Sequence, residues 1–126
     1  MIFQFPLWWF SMPAIMKGWI DRVYAYGFAY GVGEHSDRHW GDRYGEGTLA
    51  GKRAMLVVTT GGWEEHYAPR GINGPINDIL FPIQHGMLFY PALRCCRRWC
   101  STARRNGRAA LCAAVPGTRA TAGYAG

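Results

Sequence analysis

The chain opens on MIFQFP, an apolar run interrupted only by Gln4, which reads as a strand buried within a sheet. Pro6 ends the run. PLWWFSMP then reads as a loop in which Ser11 stands before Pro13, a residue suited to a first helical turn. From Ala14 to about Tyr26 the apolar positions Ile15, Trp19, Val23 and Tyr26 recur at helical spacing, with Lys17, Asp21 and Arg22 elsewhere. This predicts an amphipathic helix that buries the first set. Residues 27–51 are polar, rich in Gly and aromatic, the composition of a long loop that is functional or forms a lid. AMLVVTT, after Lys52 and Arg53, predicts a second strand buried on both faces, and Thr59-Thr60-Gly61-Gly62 turns sharply at its end. Asn73 is expected to cap a second helix with Pro75 in its first turn, Ile76, Ile79, Leu80 and Ile83 along it, and a kink at Pro82. Strand and helix in alternation imply right-handed crossovers and a parallel sheet.

Composition adds a division of the chain. In 126 residues, 49% are hydrophobic and 17% charged, which excludes a disordered acidic tail or a polar low-complexity chain and favours one domain. No apolar run reaches the roughly 18 residues needed to span a bilayer, since Gln4, Pro6, Ser11 and Pro13 interrupt the first stretch. No basic start precedes that stretch, so no signal peptide is expected, and the protein reads as soluble and cytoplasmic with no membrane insertion. Charge is distributed unevenly. Residues 1–92 carry seven basic side chains and all eight acids, whereas residues 93–126 carry seven Arg and no acid. All four Cys (Cys95, Cys96, Cys100, Cys112) lie in that tail. Three readings of the tail compete: a basic arm for nucleic acid, a metal site at the clustered Cys, and translation out of frame. Zinc would require a second ligand pair, and nucleic-acid binding a fold motif or amphipathic period. Shifted frames of GC-rich DNA yield Arg, Ala, Gly and Cys, so the third reading is preferred. Residues 1–92 are taken as a partial domain, residues 93–126 as an out-of-frame or disordered tail, and no nucleic-acid partner is expected.

Candidate chemistry follows from the parallel sheet, whose ligands bind beyond the carboxyl ends of its strands. Trp8, Trp9 and Phe10 follow the first strand, and Thr59, Thr60, Gly61 and Gly62 the second. Adjacent glycines let backbone N–H groups approach a ligand, and aromatics can wall a flat ring, so a planar redox cofactor fits. The competing reading makes Trp9 and Phe10 core residues and the Gly pair a plain turn. His35 and His39 lie near Asp37 and Asp42, but a loop offers no fixed ligand geometry, so no metal site is expected. His85 reads as a structural histidine, Glu64 and Glu65 as a solvated pair, and Lys17 as an exposed helix charge.

The segments QFPLWWFSMPAIMKGWIDRV, FAYG, GKRAMLVVTTGGWEEHY and RGINGPINDILFPIQHGMLFY resemble the NAD(P)H:quinone oxidoreductase family of flavodoxin-like flavoproteins. That family includes the modulator of drug activity B group and the ancillary oxidoreductases of potassium efflux systems. The resemblance covers about residues 1–91. It implies an α/β, flavodoxin-like, three-layer parallel sheet, present only in part. It implies FAD as cofactor, NAD(P)H as electron donor and a quinone as acceptor, with hydride passing to the flavin and two electrons then passing to the quinone. By the same resemblance Pro6, Leu7, Trp8, Trp9 and Phe10 match the loop against the isoalloxazine ring, and Thr59, Thr60, Gly61 and Gly62 the second flavin loop. Tyr67 matches a tyrosine that assists hydride transfer. Asn73 stands where vertebrate members have a catalytic histidine; Asn can hydrogen-bond but cannot relay a proton near neutral pH. Tyr30 and Tyr90 match aromatic positions around the nicotinamide or quinone pocket, in part from a second subunit, so a homodimer is the family expectation. A potassium efflux transporter is the alternative partner, the chain then acting as an ancillary subunit.

The family domain opens with a strand and a phosphate-binding loop and continues after Tyr90 into a further strand and a final helix. Neither is expected here: the chain starts at the family's third strand, and the Arg/Cys tail replaces the later segment. With about 92 residues for a core, burial is marginal. The expectation is a chain that folds poorly and holds FAD weakly, an impaired or inactive fragment of the enzyme.

Overall fold

Two parallel strands set the frame. A computed structural model describes residues 1–102 and 110–111, with side chains for residues 1–95. Strand β1 (Ile2–Pro6) is followed by helix α1 (Ala14–Val23), a small hairpin of β2 (His35–Ser36) and β3 (His39–Trp40), strand β4 (Arg53–Thr60) and helix α2 (Ile76–Phe81). Strands β5 (Arg94–Thr102) and β6 (Ala110–Leu111) complete the order. The main sheet runs β1-β4-β5-β6. β1 pairs in parallel with β4 from Ile2 opposite Met55 to Pro6 opposite Thr59. β4 pairs in parallel with β5, with a register shift at Ala54/Met55, and β6 is antiparallel to β5. A strand thus stands at Arg94–Thr102, just past the boundary at residue 92 drawn from composition. Most of the Arg/Cys tail, residues 103–109 and 112–126, lies outside the described residues.

The steps from β1 to β4 and from β4 to β5 go the same way across the sheet, so right-handed crossovers place both helices on one face. Burial agrees. Phe3, Phe5, Ala54, Leu56 and Val58 share that face and form one core with Met12, Ile20, Leu80, Ile83, Leu88 and Leu93. Met55 and Val57, on the opposite face, are only half-buried, and Ile2 and Gln4 are exposed. The expectation of strands buried on both faces is therefore corrected. The described residues put helices over one face, and each strand alternates inside and out.

Two further expectations change. Helix α1 buries Ile20 (4% exposed), with Met16 and Tyr24 partly buried, whereas Ile15 is 87% exposed and Trp19, Val23 and Tyr26 are exposed. Both stripes have helical spacing; the one a residue further along meets the core. Helix α2 begins after Pro75 with no side-chain cap, and Asn73, expected as the cap, instead donates its backbone N–H to the His66 carbonyl at 2.9 Å. At Pro82 (φ −58, ψ −35) the helix does not break. It widens into π turns over Pro82–Phe89, where the proline ring crowds the carbonyl four residues back. Beyond it the Tyr90 N–H reaches back five residues to the His85 carbonyl at 3.0 Å. Lys17 is an exposed helix charge ion-paired with Asp21. No helix among the described residues is long and apolar enough to cross a membrane.

The Tyr24 hydroxyl is buried without a hydrogen-bond partner, and burial raises it above its ordinary value of 10.0. Tyr24→Phe removes an unsatisfied buried group and should raise stability by about 1 kcal/mol in urea denaturation at neutral pH. With the folded value raised, the unfolded chain ionises first. The stability tied to this hydroxyl is whole below pH 10.0 and is lost as pH rises through the raised value. Tyr24→Phe should therefore flatten the alkaline limb of the stability curve; an unchanged limb would show that Tyr24 does not cause it.

Candidate functional site

Because Pro6 lies opposite Thr59, the loops leaving β1 and β4 start side by side, and the Leu7 N–H donates to the Thr59 carbonyl at 2.8 Å. The first loop then turns at once. Trp8 and Ser11 exchange two backbone hydrogen bonds, 2.9 and 3.0 Å, which close a two-residue turn on Trp9 and Phe10. Both central residues are left-handed, with φ 49° and 62°. Two positive φ values in a two-residue turn favour Asn-Gly, and each bulky residue there costs roughly 1–2 kcal/mol. Nothing apolar compensates, since Trp8, Trp9 and Phe10 are 60%, 95% and 53% exposed. The reading of Trp9 and Phe10 as core residues is thereby overturned. Strained, exposed aromatics at the carboxyl ends of parallel strands are a ligand-facing arrangement.

The second loop supplies polar groups. Thr60, at the end of β4, is 3% exposed and its Oγ1 has no hydrogen-bond partner, while Thr59 is exposed. Gly62 takes φ 94°, and a Cβ there would lie 3.2 Å from His66 Nδ1, so the turn requires glycine. The Tyr67 hydroxyl donates to the Gly61 carbonyl at 2.8 Å, which pins the 3₁₀ turn Glu64–Tyr67 against the loop. Through its bond to the His66 carbonyl, Asn73 is tied to the same turn. Glu64 and Glu65 are exposed. The structure thus gathers Pro6–Phe10, Thr59–Gly62, Tyr67 and Asn73 around one end of the sheet.

Tyr30 and Tyr90 are held elsewhere. The Tyr30 carbonyl accepts from the Gly27 N–H at 2.8 Å, and its ring lies edge-on to Tyr26 at 5.7 Å. The Tyr90 carbonyl accepts from the Tyr44 N–H at 2.6 Å, and the two rings are 5.2 Å apart. Tyr44 also lies 5.2 Å from His85 and 5.4 Å from Phe89, and His85 is stacked on Phe81 at 4.9 Å. His85 is therefore one ring of an exposed aromatic cluster. Neither Tyr30 nor Tyr90 makes a hydrogen bond or ring contact with the two loops. Tyr44 and this cluster were missed in the sequence, where Tyr44 is one aromatic among several in a Gly-rich loop.

The two loops present exposed indole and phenyl rings and one buried hydroxyl lacking a partner. That set fits a flat heteroaromatic ring with polar edge atoms, which stacks on the aromatics and takes hydrogen bonds from the second loop.

A family model described as flavodoxin-like fold matches residues 1–94. A ribosyldihydronicotinamide dehydrogenase-like protein, traD, of Penicillium crustosum is 77% identical over 90 residues, 71% of this chain and 34% of that protein. The Homo sapiens ribosyldihydronicotinamide dehydrogenase (quinone) is 49% identical over 89 residues, 71% of this chain and 35% of that protein. A glutathione-regulated potassium-efflux system ancillary protein, KefG, of Cronobacter sakazakii is 43% identical over 84 residues, 66% of this chain and 39% of that protein. Among solved structures, a candidate quinone reductase of Klebsiella pneumoniae superposes with a TM-score of 0.76 at 81% identity, over 80% of this chain and 39% of that one. The chain spans about a third of the length of the curated relatives it matches.

Trp9→Gly tests the strain directly. Relief of the left-handed penalty outweighs the entropy cost of glycine, and the indole is 95% exposed, so little burial is lost. Thermal and urea unfolding should show a gain of about 1 kcal/mol; a loss would mean that the indole holds the turn.

Proposed function

The chain belongs to the flavodoxin-like fold family, and on that premise we propose that its two loops form the ring-binding wall of an FAD-dependent NAD(P)H:quinone oxidoreductase. The observation that carries this reading is the exposed, left-handed Trp9-Phe10 turn set beside the buried, unpartnered Thr60 hydroxyl. The names of the dehydrogenase and quinone reductase relatives support the chemistry. The activity, with its quinone and nicotinamide substrates, belongs to a family-length protein, of which these residues supply the ring contacts.

In this reading a bound flavin supplies two-electron hydride transfer between NAD(P)H and a quinone. Trp8, Trp9 and Phe10 cover one side of the ring, and Pro6 and Leu7 fix that loop against β4. Thr59, Thr60, Gly61 and Gly62 would offer the ring their hydrogen-bonding groups, among them the Thr60 hydroxyl, which has no partner among the described residues. Tyr67 holds a proton at its hydroxyl, within the same loop. Asn73 orients by hydrogen bonding and moves no proton. Tyr30 and Tyr90 wall the nicotinamide or quinone side, completed by a second subunit of a homodimer in the cytoplasm. The KefG relative favours one second reading, an ancillary subunit of a potassium efflux transporter. Co-purification with such a transporter separates the two.

Loops that recognise the ring alone should bind riboflavin, FMN and FAD comparably, and weakly, in the 126-residue chain. Titration of each flavin should quench the fluorescence of Trp8 and Trp9. Thr60→Val should weaken binding about fivefold through one lost hydrogen bond. In a family-length protein carrying these loops, Tyr67→Phe should slow NAD(P)H-dependent quinone reduction at least tenfold. No quenching by any flavin at millimolar concentration would overturn the proposal.

A further inference from the structure

The segment between α1 and β4 carries Glu34, Asp37, Asp42, Glu46, His35 and His39, with Arg38 and Arg43 among them, and none of these serves the site above. The β2–β3 hairpin and the turn after it draw three of them together. A ring nitrogen of His39 and a carboxylate oxygen from each of Asp42 and Glu46 all lie within 4.8 Å of one another. His39 Nε2 is 3.5 Å from Asp42 Oδ1. We propose that His39, Asp42 and Glu46 bind a divalent transition-metal ion of the zinc class, which ties the hairpin to the turn that carries Tyr44.

Local hydrogen bonds hold the backbone that carries all three donors. The His39 N–H donates to Ser36 Oγ at 3.2 Å, the Gly41 N–H to the Glu34 carbonyl at 3.0 Å, and the Asp42 N–H to the Val32 carbonyl at 2.6 Å. The Tyr44 N–H is bound to Tyr90, and the Glu46 N–H donates to the Arg43 carbonyl at 3.3 Å. The Asp42 carboxylate lies over Gly33, where a Cβ would come within 2.2 Å of Oδ1. His35 is engaged elsewhere, its Nδ1 3.1 Å from the Gly33 carbonyl oxygen. One imidazole with two carboxylates suits zinc, whereas magnesium and calcium favour oxygen alone. Donors about 2.1 Å from a tetrahedral ion lie roughly 3.4 Å apart, so the triad must close by up to about 1.4 Å, within reach of three solvent-accessible side chains. Three protein donors leave a coordination position for water.

The tail cysteines are competing ligands, so the test uses the full chain with its thiols alkylated. Calorimetry with Zn²⁺ and visible absorption with Co²⁺ should show one ion per chain, not displaced by a hundredfold excess of Mg²⁺. His39→Asn and Glu46→Gln should each weaken binding at least tenfold with unchanged circular dichroism. His35→Asn should leave binding unaltered. Absence of stoichiometric Zn²⁺ binding, or equal affinity in His39→Asn and Glu46→Gln, would overturn the proposal.

Discussion

The parallel pairing of β1 with β4, and above all its register, is the constraint on which the rest depends. Pro6 opposite Thr59 makes both strands end at one level, so two loops remote in sequence begin as neighbours. The same pairing lays Phe3 beside Leu56 and Phe5 beside Val58, the centre of the core against which both helices rest. A slip of one residue would turn the apolar set outward and separate the loops in the same movement. Core and site are therefore specified together.

Much of this was legible because apolar runs and their punctuation are local signals. MIFQFP, AMLVVTT, Pro13, Pro75 and the Thr-Thr-Gly-Gly turn mark strands, helix starts and loop positions without tertiary information. What failed needed the third dimension. Helix α1 has two apolar stripes, and only its approach to Phe3 and Phe5 decides that Ile20 turns inward while Ile15 does not. The left-handed Trp9 and Phe10 carry no sequence signal, because positive φ is announced by Gly or Asn and these are neither. Glu46 was not grouped with His39 and Asp42 because a hairpin closure, not a spacing, brings it there.

The open surfaces have a common origin. With both crossovers on one face, Met55 and Val57 remain half-buried on the other. Among the described residues β1 pairs on one side only, and beside it Met1, Ile2, Phe3, Ile15, Met16 and Trp19 line an apolar groove. An uncovered apolar edge of this kind favours association through strand addition.

The π turns over Pro82–Phe89 have a consequence for how this segment tolerates change in length. A π helix holds one residue more than the α helix that would join the same two ends. Removing a single residue beyond Pro82 would let the backbone tighten towards α bonding, whereas adding one to an α helix of the same span would rotate everything beyond it by about 100°. The stretch is thus a reservoir of one residue placed just before Tyr90 and the start of β5. Loss of one residue at this point would be absorbed by the wide turns, so that Leu93 could still reach the core.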